Sequence, residues 1–294
     1  MVLTRSAGGS ISGDREFNPT RGCPMTDVDR PVRLGRIDES FHQVAAAVVE
    51  EVLLRLGHRV DVTEGPHPRM YPMLAAGELD LFADAWLPGG HAVYWEQVSD
   101  HVVEVAPLYD QALFFWAVPA HVPAELVSSL SDLARPEVIE RMTTLEVQGT
   151  TSAAGLTMRS DDLVRDYGLA ELGWRHVHGN LKAIIDTVER RMAAGDWFAT
   201  PLWQPQYLND RFDLRPLADP RDAFPPPDRA SLLAHNDSWQ RLPGRTRDVL
   251  SRIRYTVADV NAMDAAMNLE GADPLTAVRQ WWERTPETVS AWGL

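Results

Sequence analysis

The sequence predicts an α/β protein of two lobes with a ligand cleft between them. Three observations carry that expectation. From Val32 to Ala85 the apolar pattern alternates β-α-β-α-β, which builds a parallel sheet covered by helices. A second α/β run spans Leu145 to Thr200, and the break Phe224-Pro225-Pro226-Pro227 parts it from a helical tail. The length of 294 residues favours two domains over one, at roughly 100–200 residues each.

The elements follow in order. Val32 to Ile37 alternates like a strand. Phe41 to Leu56 carries apolar residues at helical spacing, and Gly57 closes the run. Arg59 to Val62 is a second strand, Met70 to Ala76 a short helix closed by Gly77, and Leu79 to Ala85 a third strand. A loop from Trp86 to Gly90 comes next, and Leu113 to Val118 is an apolar strand ending at Pro119. The second run has a strand near Leu145 to Val147, a helix from Leu156 to Tyr167 capped by Gly168, a helix from Leu181 to Ala194 and a strand from Trp197 to Thr200. The tail is helical at Val249 to Ile253, Val257 to Met267 and Pro274 to Glu283. Residues 1–30, rich in Gly, Ser, Arg and Pro, read as disordered. The first lobe takes residues 31–117 plus 225–294 and the second takes 118–224. Clefts between such lobes are where ligands bind.

Composition removes several functions. With 42 acidic against 28 basic residues the net charge is -14, which disfavours a nucleic-acid binder and docking on anionic lipid. The single cysteine, Cys23, excludes an internal disulfide and a multi-cysteine zinc site. No stretch reaches the ~20 apolar residues of a membrane span. No apolar segment at the start reads as a secretory signal, and Met25 is a possible alternative start. There is no phosphate-binding loop and no dinucleotide fingerprint. Gly9-Ser10-Ile11-Ser12-Gly13 places its serines wrongly for a nucleophile elbow. His176-Val177-His178 lacks a third ligand at metal spacing. No cofactor, no metal and no enzyme activity is expected.

The aromatic residues are more informative. Of 10 tryptophans, most serve as core. Trp86 and Trp203 differ: each is placed just past the end of a strand and each is followed two residues later by proline. Ligands bind at the carboxyl ends of strands in open α/β sheets, and indole faces attract cations, quaternary ammonium groups above all.

These residues carry a family resemblance. Asp84-Ala85-Trp86-Leu87-Pro88-Gly89-Gly90-His91, Gly149 to Leu156, Asp166 to Leu169, Leu202-Trp203-Gln204-Pro205-Gln206-Tyr207, Asp213 to Leu217 and Trp281-Trp282-Glu283 stand in the family's order. From about Val32 to Trp292 the chain resembles the glycine betaine/choline-type substrate-binding proteins of ABC importers. The resemblance implies the two-lobed periplasmic-binding-protein type 2 fold, which closes on its ligand by hinge bending. It implies a monomer that delivers a quaternary ammonium compound to an ABC permease, with no nucleic acid involved. Trp86 and Trp203 would hold the cationic head between them, and Phe114 is either a further aromatic wall or a buried strand residue. His91 and the backbone N–H groups of Gly155 and Leu156 would hold a ligand carboxylate, since a helix N-terminus favours an anion.

The chain departs from the family twice. The further tryptophan usual after the first strand is absent, and its place falls on Glu39. Either Phe41 or His42 fills the missing wall, or Glu39 meets a cation lacking its own carboxylate, or Glu39 is a plain helix N-terminal acid. Ser152-Ala153-Ala154 replaces the usual Pro-Gly in the anion-binding turn. The expected location is extracytoplasmic by family, or cytoplasmic, as a sensor or buffer of the same ligands, if no export signal operates. An enzyme acting on the ligand ranks last.

Overall fold

β1 (Val32–Ile37), β2 (Val60–Gly65) and β3 (Leu81–Leu87) form the parallel core of a seven-stranded sheet, with β1 in the middle. The computed structural model describes residues 30–294. The disorder expected for residues 1–30 lies outside the described residues, Arg30 apart. α1 (Ser40–Arg55) connects β1 to β2, and α2 (His67–Ala75) connects β2 to β3. α1 is apolar around most of its circumference, so it is buried around most of it; Val44, Ala45, Val48 and Val52 have no exposed surface. Gly57 and Gly77 close these helices at φ +86 and +68, a conformation glycine adopts at no steric cost.

The chain continues through α3 (Ala92–Val98), β4 (Val102–Pro119), α4 (Pro136–Ile139), β5 (Glu146–Gln148), α5 (Gly155–Asp166), β6 (Arg175–Val177) and α6 (Leu181–Ala194). It then forms β7 (Thr200–Gln204), α7 (Leu208–Arg211), β8 (Leu214–Pro216) and β9 (Asp228–His235). The tail is α8 (Asn236–Arg241), α9 (Gly244–Leu250), α10 (Val257–Glu270), α11 (Pro274–Arg284) and α12 (Pro286–Ser290). The strand order is β2-β1-β3-β9-β4-β7, with β8 also beside β4. β5 and β6 form a separate parallel pair.

β4 is the structural hinge-pin of this arrangement. Its 18 residues pair antiparallel with β9 from Val102 to Ala112, then with β7 and β8 from Leu113 to Pro119. The changeover is marked by a register shift between Asp110 and Ala112 and by φ +69 at Gln111. Such irregularities bend a strand and let it serve two sheets.

The expected parallel elements are present, with shifted ends. β4 begins eleven residues earlier than the apolar run suggests, because Val102 to Ala112 mixes polar and apolar residues along a strand with two different neighbours. β7 starts at Thr200 rather than Trp197. β6 and β9 carry no clear alternation of their own and are held by pairing with distant partners. In consequence Trp86 and Trp203 lie within the last residues of β3 and β7, not beyond them. Both prolines that follow are in cis peptide bonds, Leu87–Pro88 and Gln204–Pro205.

Candidate functional site

All seven residues singled out by sequence line one small pocket: Glu39, Trp86, His91, Phe114, Gly155, Leu156 and Trp203. Phe41, His42, His67, Thr150 and Ala154 complete it. Its walls stand close together and leave little free space between them.

The aromatic wall is assembled from three elements. Phe114 on β4 is the cross-strand partner of Trp203 on β7, so their side chains share a face. The Trp86 ring is 5.2 Å from Phe114. Phe41, from the first turn of α1, sits 5.6 Å from Trp86 and 5.7 Å from Trp203. It thus stands within contact range of both indoles and lines the pocket beside them. The Trp203 indole N–H is buried and has no hydrogen-bond partner among the described residues.

Trp86 is held from behind. Its indole N–H donates to the Tyr109 hydroxyl at 3.1 Å and lies 3.3 Å from Asp84 Oδ1. Asp84 is fully buried with φ +71, at a register shift between β3 and β9. A non-glycine residue in that region is strained. The bulge turns its carboxylate across to His42, whose Nδ1 is 2.6 Å from Asp84 Oδ2.

Both His91 ring nitrogens have partners within the protein. The Trp86 backbone N–H donates to His91 Nδ1 at 3.0 Å, and the Tyr71 hydroxyl donates to the same atom at 2.8 Å. That assigns the His91 proton to Nε2, which donates to His67 Nε2 at 3.1 Å. Burial pushes both imidazoles toward the neutral form, His91 well below its ordinary value and His67 to about 3. His42, His67 and His91 bring ligand-type nitrogens within 4.8 Å of one another.

The loop Pro88 to His91 is pinned by Asp228 at the start of β9, which accepts from the N–H groups of Gly89 at 2.7 Å and Gly90 at 2.6 Å. Across the pocket, α5 begins at Gly155 without a side-chain cap. The first-turn N–H groups of Gly155 and Leu156 are therefore orphan donors. The Tyr94 hydroxyl donates to the Ala153 carbonyl at 2.8 Å and ties the two sides together.

Glu39 is the N-cap of α1 by position, yet its side chain makes no capping bond. Its half-buried carboxylate has no hydrogen bond or ion pair among the described residues. Burial pushes its pKa up, against a smaller opposing effect of His42. No lysine or arginine lines the pocket. Four helix N-termini, those of α1, α2, α3 and α5, converge here through Phe41 and His42, His67, His91 and Gly155. Their dipoles make the site positive, and the carboxylates of Asp84 and Glu39 offset that.

The family described as the substrate-binding domain of ABC-type glycine betaine transport systems matches residues 30–284. The chain belongs to that family. It is a family of transport receptors, not of enzymes. The chain is 22% identical over 146 residues to the glycine betaine/carnitine transport binding protein of Listeria monocytogenes. That alignment covers 50% of this chain and 48% of the relative, so the chain spans about half the length of the curated relative it matches. A lactococcal protein in its closed form with glycine betaine superposes at TM-score 0.80, 20% identical, covering 90% of this chain and 99% of its own. A choline-binding protein in complex with choline superposes at 0.77, 19% identical, covering 89% and 91%. A glycine betaine/L-proline-binding protein of Borrelia burgdorferi gives 0.78 at 19% identity, covering 90% and 96%. At these identities the likeness establishes the fold, which is the periplasmic-binding type.

Several pocket residues escaped the sequence reading. His67 belongs to a helix whose start was placed at Met70. Asp84 reads as part of a strand, and its φ of +71 turns its carboxylate to His42, behind the pocket wall. Tyr94 and Asp228 brace the pocket without lining it, through the Ala153 carbonyl and through the N–H groups of Gly89 and Gly90. Family membership supplied the rest.

Proposed function

We propose that the protein captures a quaternary ammonium compound in this pocket and presents it to an ABC permease, acting outside the cytoplasmic membrane. No described helix is long and apolar enough to cross a membrane. The observation that carries the proposal is an unpaired carboxylate, Glu39, in a pocket lined by Phe41, Trp86, Phe114 and Trp203 with no basic side chain. Indole faces attract a trimethylammonium head with about 2 kcal/mol when desolvated. A carboxylate without a partner lowers the electrostatic cost of bringing that cation out of water.

The lobes 31–117 with 225–294 and 118–224 close over the ligand about β4. Trp86 and Trp203 sandwich the head and Phe41 takes the third wall. The N–H groups of Gly155 and Leu156 donate to the polar end of the ligand. His91 positions Trp86 through its backbone N–H rather than binding the ligand itself. Glu39 repels a ligand carboxylate and receives a hydroxyl or N–H donor, so choline binds more tightly than glycine betaine.

The test is calorimetric titration of the purified protein with choline, glycine betaine, proline betaine, carnitine and ectoine. Saturable 1:1 binding on the order of micromolar is expected for choline, with a change in tryptophan fluorescence. Binding to none of the five would remove the ligand assignment and leave the fold.

A further inference from the structure

A second constellation is shared between α5 and β6. His176 and His178 flank Val177 at the end of β6, with ring centroids 5.5 Å apart. On sequence this pair lacked a third ligand. The fold supplies one from earlier in the chain: Asp161, on α5. His176 Nδ1 lies 2.7 Å from Asp161 Oδ1, and His178 Nε2 lies 3.0 and 2.9 Å from its two oxygens. One donor atom from each of the three falls within 4.8 Å of the others.

Two features distinguish this from a surface ion pair. The His176 side chain is only 2% exposed, and its Nε2 has no hydrogen-bond partner among the described residues. Its ring is seated on bare backbone: a Cβ on Gly149 would lie 2.2 Å from Nε2. The imidazole is thus fixed, while Asp161 and His178 remain 44% exposed and open to an ion.

We propose that Asp161, His176 and His178 form a binding site for a divalent transition metal of the zinc class, completed by water. Two imidazoles and a carboxylate suit such ions. Metal–ligand bonds of about 2.0–2.2 Å put tetrahedral donors roughly 3.3 Å apart, a few tenths of an ångström wider than the hydrogen-bonded atoms now stand. The ion replaces the two protons that bridge the carboxylate, and each imidazole carries its proton on its other ring nitrogen. Binding ties α5 to β6. The N-terminus of α5 lines the ligand pocket through Gly155 and Leu156, so the metal fixes one wall of that pocket from outside.

The experiment uses untagged full-length protein in chelator-free buffer, titrated with zinc chloride by calorimetry and followed by thermal melting. One saturable site is expected, with a raised melting midpoint in excess zinc. Asp161→Asn and His178→Ala are each expected to weaken zinc at least tenfold and to abolish the zinc-dependent rise in midpoint. Both leave the metal-free midpoint and choline affinity as in the wild type. Absence of zinc binding by the wild type overturns the proposal. So does zinc binding that survives both substitutions, or that is lost instead in His67→Asn, which would place the ion in the ligand pocket.

Discussion

A Cβ on Gly155 would lie 2.7 Å from the carbonyl oxygen of Gly90. The start of α5 and the loop after β3 therefore meet backbone to backbone across the pocket, and only glycine at 155 permits it. The Phe114 ring is 3.3 Å from the same point. Sequence reads Gly155 as an N–H donor to a ligand carboxylate at a helix start; the geometry adds that it is where the two walls touch.

Gly155→Ala should then block closure without weakening the open protein. Alanine favours a helix over glycine by about 1 kcal/mol. Choline affinity is expected to drop about tenfold or more, equal to about 1.4 kcal/mol, while the unliganded melting midpoint holds. Calorimetry and thermal melting check both. Unchanged affinity would mean the two walls need not touch in the bound state.

On the proposed function, the tryptophan faces carry most of the binding energy. Removing Trp203 by substitution to alanine should cost about 2 kcal/mol, roughly 30-fold in Kd, and Trp203→Phe should recover part of it. Phe41→Ala should cost less, about 1 kcal/mol, because benzene has the weaker face. Titration of each variant, with circular dichroism to confirm folding, measures this.

His67 makes stability depend on pH. Its folded pKa of about 3 is below the ordinary 6.5, so its contribution is complete above about pH 6.5 and is lost as pH falls toward 3. The slope is at most about 1.4 kcal/mol per pH unit. Asp264, pushed up to about 6 by burial, acts in the opposite sense: its contribution is present at low pH and fades as pH rises through 6. The difference between wild type and His67→Asn isolates the histidine. Urea unfolding at pH 7, 6 and 5 should show that difference shrinking by about 1 kcal/mol per unit below pH 6.

The parallel half of the fold is legible because β1, α1, β2, α2 and β3 follow one another with short connections, each with its own periodicity. β9 and the first half of β4 are not, since their residues are dictated by pairing with strands far away in the chain. The pocket was legible where a motif carries it, as at Trp86 and Trp203. It was opaque where chemistry depends on orientation: only the fold shows that both His91 nitrogens meet partners within the protein, Trp86, Tyr71 and His67. Phe41 and Glu39 stand together in sequence, yet only coordinates separate their parts, one filling the wall and the other leaving a carboxylate without a partner.

Glu39 bears the central claim, that this pocket is built for a cation. The most direct measurement is the affinity of Glu39→Gln for choline and for glycine betaine beside that of the wild type at pH 7.5. Choline affinity should fall tenfold or more, about 1.4 kcal/mol, and glycine betaine affinity should hold or rise. Wild-type choline affinity should also decline as pH falls, as Glu39, its pKa raised by burial, takes up a proton. Choline binding that is equally tight in Glu39→Gln and indifferent to pH would contradict the account.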